Sequence, residues 1–93
     1  MSTLSPPEID RRLKVLQGWT LAEHAIRKLY AFESFPAAVD FVTRIVPIAE
    51  AADHHPDILI EYARVTLTYS THSEGGLTVK DFDGARAVDQ LIS

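Results

Sequence analysis

Residues 65–69 run Val65-Thr66-Leu67-Thr68-Tyr69, an unbroken alternation of apolar and polar side chains. Side chains repeat every two residues only on an extended strand. Val65, Leu67 and Tyr69 must then share one face, and Arg64, Thr66, Thr68, Ser70 and His72 the other. A strand with one apolar face needs strand neighbours and a layer that covers that face.

The flanking sequence supplies both. Ser5-Pro6-Pro7-Glu8 has the pattern of a helix start, with Ser5 at the N-cap, proline at the first helical position and Glu8 completing a capping box. Ile9, Leu13 and Leu16 then fall on one face, and Gly18 is expected to end that helix. Trp19 to Leu21 and Ala25 to Phe32 form two short strands around Ala22-Glu23-His24. Ser34 caps a longer helix with Pro36 in its first turn, and Phe41, Ile45, Ile48 and Ala52 mark its buried stripe. Pro47 interrupts that helix chemically, because proline has no N–H to donate; the apolar spacing nevertheless continues across it. Asp53-His54-His55-Pro56-Asp57 is a polar break, and Ile58 to Tyr62 is a third strand. Gly75-Gly76 is a turn. Thr78 caps the last helix with Asp81 three residues on, and Phe82, Ala85, Ala87, Val88 and Leu91 form its apolar side. The order is helix-strand-strand-helix-strand-strand-helix. It predicts an α+β fold: a four-stranded antiparallel sheet with three helices packed on one face. The opposite face is left for a site or a subunit contact.

A chain of 93 residues makes one domain, residues 1–93, with a thin core that association of copies would enlarge. Net charge is −4, and basic residues are scattered singly apart from Arg11-Arg12. That excludes the basic stripe a nucleic acid demands. There is no cysteine, so disulfides, thiolate zinc sites and cysteine nucleophiles are all excluded. The N-terminus lacks a basic-then-apolar leader pattern, and no apolar run reaches membrane-spanning length. The expected compartment is the cytoplasm.

His54, His55 and His72 are the candidate chemistry. Imidazole exchanges protons near neutrality, so several around one pocket suit general acid–base work rather than covalent catalysis. Glu50 lies four residues before His54, one helical turn away. Plain structural roles compete with each assignment. A histidine pair before proline is also an ordinary polar loop. His72 is also a strand end, and Asp81 a capping acid. Trp19 and Tyr62 are expected in packing, and His24 in a turn. Three histidines and a carboxylate are also the donor set of an open zinc site. Helical zinc histidines favour the i, i+4 spacing, however, so no metal ligand is assigned.

Taken together, Glu50, His54-His55-Pro56, Tyr62, His72 and Asp81 resemble the signature of the pterin-4a-carbinolamine dehydratase family. The flanks Ala49 to Asp53 and Ser70 to Thr78, with Gly18-Trp19, also resemble family sequence. The resemblance implies a four-stranded antiparallel sheet with helices on one side. It implies dehydration of a 4a-hydroxytetrahydropterin to a quinonoid dihydropterin, with no cofactor and no metal. It casts His54 and His72 as proton donors to the hydroxyl, one for each 4a epimer. His55 would position the ring and assist loss of the N5 proton. Asp53, Ser70, Thr71 and Ser73 would line the pterin pocket, and Glu50 and Asp81 would orient histidines or hold the local fold. The expected partners are the pterin, further copies of the chain in a homodimer or homotetramer, and a functional link to an aromatic amino acid hydroxylase in tetrahydrobiopterin recycling. Three alternatives stay open. One is a non-catalytic interaction module, since animal relatives help a homeodomain transcription factor dimerise. Another is pterin chemistry linked to molybdenum-cofactor metabolism. The third is a metal hydrolase.

Overall fold

The structure, a computed structural model, describes residues 3–92. Helix α1 spans Pro6–Leu13, strands β1 and β2 span Thr20–Ala22 and Ala25–Ala31, and helix α2 spans Phe35–Ala52. Strands β3 and β4 span Asp57–Glu61 and Arg64–Tyr69, a 3-10 turn covers His72–Glu74, and helix α3 spans Val79–Asp89. The sheet is antiparallel throughout, in the order β1-β2-β4-β3. This is the expected α+β arrangement. Among the described residues, no helix is long and apolar enough to cross a membrane.

The alternating segment lies at the centre of the sheet. Tyr69 pairs with Ile26, Leu67 with Lys28 and Ile58, and Val65 with Tyr30 and Ile60. Val65, Leu67 and Tyr69 point into the core with Ile26 and Tyr30. Phe41 and Ile45 of α2 and Phe82, Ala85 and Val88 of α3 cover them. Each large side chain so buried contributes about 1.5–3 kcal/mol. The other face of the sheet carries Arg27, Leu29, Asp57, Leu59, Thr66 and Thr68 and is left open.

Several local expectations shift. Ser5 caps α1 through its hydroxyl, which accepts from the Glu8 N–H at 3.4 Å. The reciprocal half of the box is absent, because the Glu8 carboxylate turns to Arg11 and Arg12 instead. Helix α1 stops at Leu13 rather than at Gly18, which sits in the following turn with φ +84°. The inward stripe of α2 is Ala38, Phe41, Ile45 and Ala49. Ile48 is only half-buried and Ala52 is exposed, since a 3.6-residue period brings position 49 inward after 45. Pro47 lies on the exposed side, where water can satisfy the carbonyl that lost its partner, and α2 continues past it. Tyr62 is not in the core. It occupies the β3–β4 turn with φ +55° and is 75% exposed.

Asp89 joins the sheet to the end of α3. It accepts from Trp19 Nε1 at 3.0 Å, Lys28 Nζ at 2.9 Å and the Tyr30 hydroxyl at 2.5 Å. An acid in the last turn opposes the helix dipole, and three donors offset that cost. Asp89→Ala should therefore lower stability by about 2–3 kcal/mol in urea denaturation, because it strands those donors.

The same environment gives the fold an alkaline limit. Burial, reinforced by the bond from its hydroxyl to Asp89, pushes the Tyr30 phenol up from its ordinary value. Burial, with the Asp81 charge nearby, pushes Tyr69 up to about 12. In the unfolded chain each ionises near 10.0, so the folded chain holds more protons above that point. Their stabilisation is complete below pH 10; the Tyr69 share is lost as pH climbs through about 12, and the Tyr30 share is still falling there. Urea midpoints should fall across that window, and less steeply in Tyr69→Phe.

Candidate active site

Helix α2 closes on a left-handed residue, Asp53, with φ +50°. The Asp53 N–H donates to the Glu50 carbonyl at 3.2 Å, and the His54 N–H to the Ala49 carbonyl at 3.1 Å. This pair of bonds is a Schellman closure, and it turns the chain sharply. The turn takes His54 off the helical line from Glu50. Glu50 Oε2 meets His55 Nε2 instead, at 2.6 Å, with both side chains largely exposed. His54 swings inward to α3. The two adjacent imidazoles therefore diverge.

Inside, His54 Nε2 lies 2.6 Å from Asp81 Oδ1. Asp81 is 0% exposed, and the His54 side chain 11%. The second carboxylate oxygen, Oδ2, accepts from the Thr71 hydroxyl at 2.8 Å and from the Thr78 N–H at 2.9 Å. Thr71 has one hydroxyl proton and gives it to Asp81. The 2.8 Å contact between Thr71 and Thr78 is thus donated by Thr78. The capping box expected of Thr78 and Asp81 is complete. A carboxylate only accepts, so His54 carries its proton on Nε2 and Nδ1 is left open. The His54 ring also lies nearly parallel to that of Tyr69, with centroids 5.7 Å apart and planes at 21°.

His72 has a third setting. Strand β4 ends at Tyr69, so His72 is not its last residue but opens the 3-10 turn. The turn forms because Thr71 bridges Gly76 and closes a short loop. His72 still reaches the open face of the sheet, where it lines a cleft of about 350 Å³ with His24, Arg27, Asp57, Thr68 and Ser70. The Ser70 hydroxyl donates to the His24 carbonyl at 2.9 Å. Ser73 and Asp53 are exposed, but Thr71 is buried and serves Asp81 rather than a pocket wall. A larger cavity, about 680 Å³, lies between α1, the β1–β2 turn and Gly75-Gly76; His54, His55 and His72 do not line it, but it shares Glu23, His24 and Gly75 with the His72 cleft. Among the described residues, no three His, Cys, Asp or Glu side chains converge as a metal site.

A sequence model of the family described as pterin 4 alpha carbinolamine dehydratase matches residues 2–91. The chain belongs to that family. Its activity is that of a hydro-lyase. A protein of Roseiflexus castenholzii, provisionally named a pterin-4-alpha-carbinolamine dehydratase, is 51% identical over 89 residues, 96% of either chain. One of Sulfolobus acidocaldarius with the same provisional name is 44% identical over 88 residues, 95% of this chain and 97% of its own. A solved structure described as a transcriptional coactivator/pterin dehydratase from Brucella melitensis superposes with a TM-score of 0.94 at 33% identity. It covers 99% of this chain and 100% of its own.

In this pterin dehydratase chain, sequence reasoning missed the inward role of Thr71 and the stacking of Tyr69 on His54. Parity held the signal for the first. Thr71 is two residues beyond Tyr69, and continued extension would point it to the core. The buried and exposed carboxylates should differ sharply on removal. Asp81→Ala should cost about 2–3 kcal/mol, because it removes a cap and leaves buried donors unpaired. Glu50→Ala should stay within about 0.5 kcal/mol of wild type in the same denaturation experiment.

Proposed function

We propose that this chain dehydrates 4a-hydroxytetrahydropterin by histidine general acid–base catalysis. The observation that carries the reading is the 2.6 Å bond from His54 Nε2 to the fully buried Asp81. A carboxylate behind an imidazole fixes its tautomer and orientation. With Nε2 committed, Nδ1 first takes up a proton from water and then passes it to the 4a hydroxyl of the bound carbinolamine. The 4a hydroxyl leaves as water once protonated, and N5 gives up its proton, so the product is the quinonoid dihydropterin with no change in oxidation state. His54 and His72 serve as acids toward the hydroxyl. Each serves one epimer. His55, paired with Glu50, positions the ring and takes the N5 proton. Asp53, Ser70 and Ser73 complete the pterin contacts.

The demand on such a site is modest. General acid–base catalysis supplies roughly 10²–10⁴-fold, or about 3–5 kcal/mol of barrier. The biological setting we propose is tetrahydrobiopterin recycling beside an aromatic amino acid hydroxylase. Association of copies is supported by a second apolar stripe on α2. Phe35, Val39 and Val46 follow helical spacing but lie on its solvent side.

The carbinolamine can be generated in situ and its dehydration followed by ultraviolet absorbance. Wild type should exceed the spontaneous rate, with and without chelator. His54→Ala should lose roughly 10²-fold in rate, and His55→Ala and His72→Ala should lose activity too. Folded wild type at the spontaneous rate would overturn the reading, and loss of activity to chelator would replace it with a metal mechanism.

A further inference from the structure

Tyr69 ends β4 with its side chain wholly buried. Its ring neighbours two others: Trp19, with centroids 6.1 Å apart and planes at 46°, and His54, at 5.7 Å and 21°. The far end of the ring reaches α3 at Gly84. A Cβ at Gly84 would stand 2.6 Å from Tyr69 Cζ, 2.7 Å from Cε1 and 2.8 Å from the hydroxyl oxygen. No side-chain carbon fits at such distances, so the ring occupies the space glycine leaves. Glycine inside a helix is otherwise unfavourable, and nothing in the conformation of Gly84 requires it, since its φ is not positive. The phenol oxygen is buried and, among the described residues, has no hydrogen-bond partner. Such a group is costly to bury. Phenylalanine would fill the same space without that cost, so the ring is the part that packs.

We propose that Tyr69 is a positioning residue for His54, seated by Gly84. The inference rests on the acid–base reading of His54. The ring holds the imidazole plane and covers one side of the His54–Asp81 bond, so that Nδ1 keeps one direction. Proton transfer depends steeply on that direction, because small misplacements of a catalytic group cost large factors in rate. Gly84 acts through Tyr69. Any side chain there drives the ring toward His54 or Trp19.

The test combines dehydration kinetics with the imidazole nitrogen resonances of His54, which report its tautomer. Tyr69→Leu should lower kcat roughly tenfold with KM within about twofold, and its His54 signals should average between tautomers. Tyr69→Phe should restore both readouts. Gly84→Ala should reproduce the loss in the wild-type background and add nothing in the Tyr69→Leu background, since the two act through one contact. Tyr69→Met, a flexible filler, replaces the leucine variant if that one fails to fold. Folded Leu or Met variants with wild-type kcat and an unaltered His54 spectrum would overturn the proposal, as would a defect confined to the melting temperature. Should wild type itself be inert, the dehydratase reading falls. The nitrogen spectra alone then decide whether Tyr69 orders His54.

Discussion

The buried Asp81 carboxylate is the constraint on which the site depends. A carboxylate removed from water is expensive unless every oxygen is satisfied. Here the donors come from three separate parts of the chain: His54 after α2, Thr71 after β4, and Thr78 at the start of α3. Each must arrive in the correct orientation. The network therefore sets where α3 begins and how the 71–76 loop closes. It also fixes which nitrogen His54 keeps free. A capping interaction, ordinary in itself, has been extended by one imidazole.

The sheet divides the histidines. His54 lies on its helical side, packed on Tyr69 and screened from water. His72 opens onto the bare side, among Arg27, Asp57 and Thr68. His55 stays at the rim with Glu50. The three imidazoles thus meet different surroundings.

Much of this was legible in the sequence for physical reasons. The alternation from Val65 to Tyr69 fixed a central strand, because only a strand separates such residues by face. The Ser34 and Thr78 caps placed two helix starts. Elsewhere the local signals were outweighed. The Glu8 carboxylate had two arginines within reach, so no capping box closed. Asp53 entered the left-handed region, which broke the expected line from Glu50 to His54 and gave Glu50 to His55. Tyr62 was drawn to a turn by the two-residue loop between β3 and β4, against its usual preference for packing. The pairing of Tyr69 with Gly84 had no sequence signal, since it joins β4 to the middle of α3 and depends only on shape.

The strand order β1-β2-β4-β3 also carries a kinetic consequence. Each outer pair is a hairpin with a two-residue loop and forms locally, on a timescale of about microseconds. The central pair, β2 with β4, must close a loop that contains the whole of α2, and such closure slows folding. Asp81 lies beyond both strands, and Asp89 later still. During synthesis, then, the chain can assemble its hairpins early, but His54 finds its carboxylate only when α3 has emerged. A stretch of chain that stops short of α3 therefore lacks the carboxylate that holds His54.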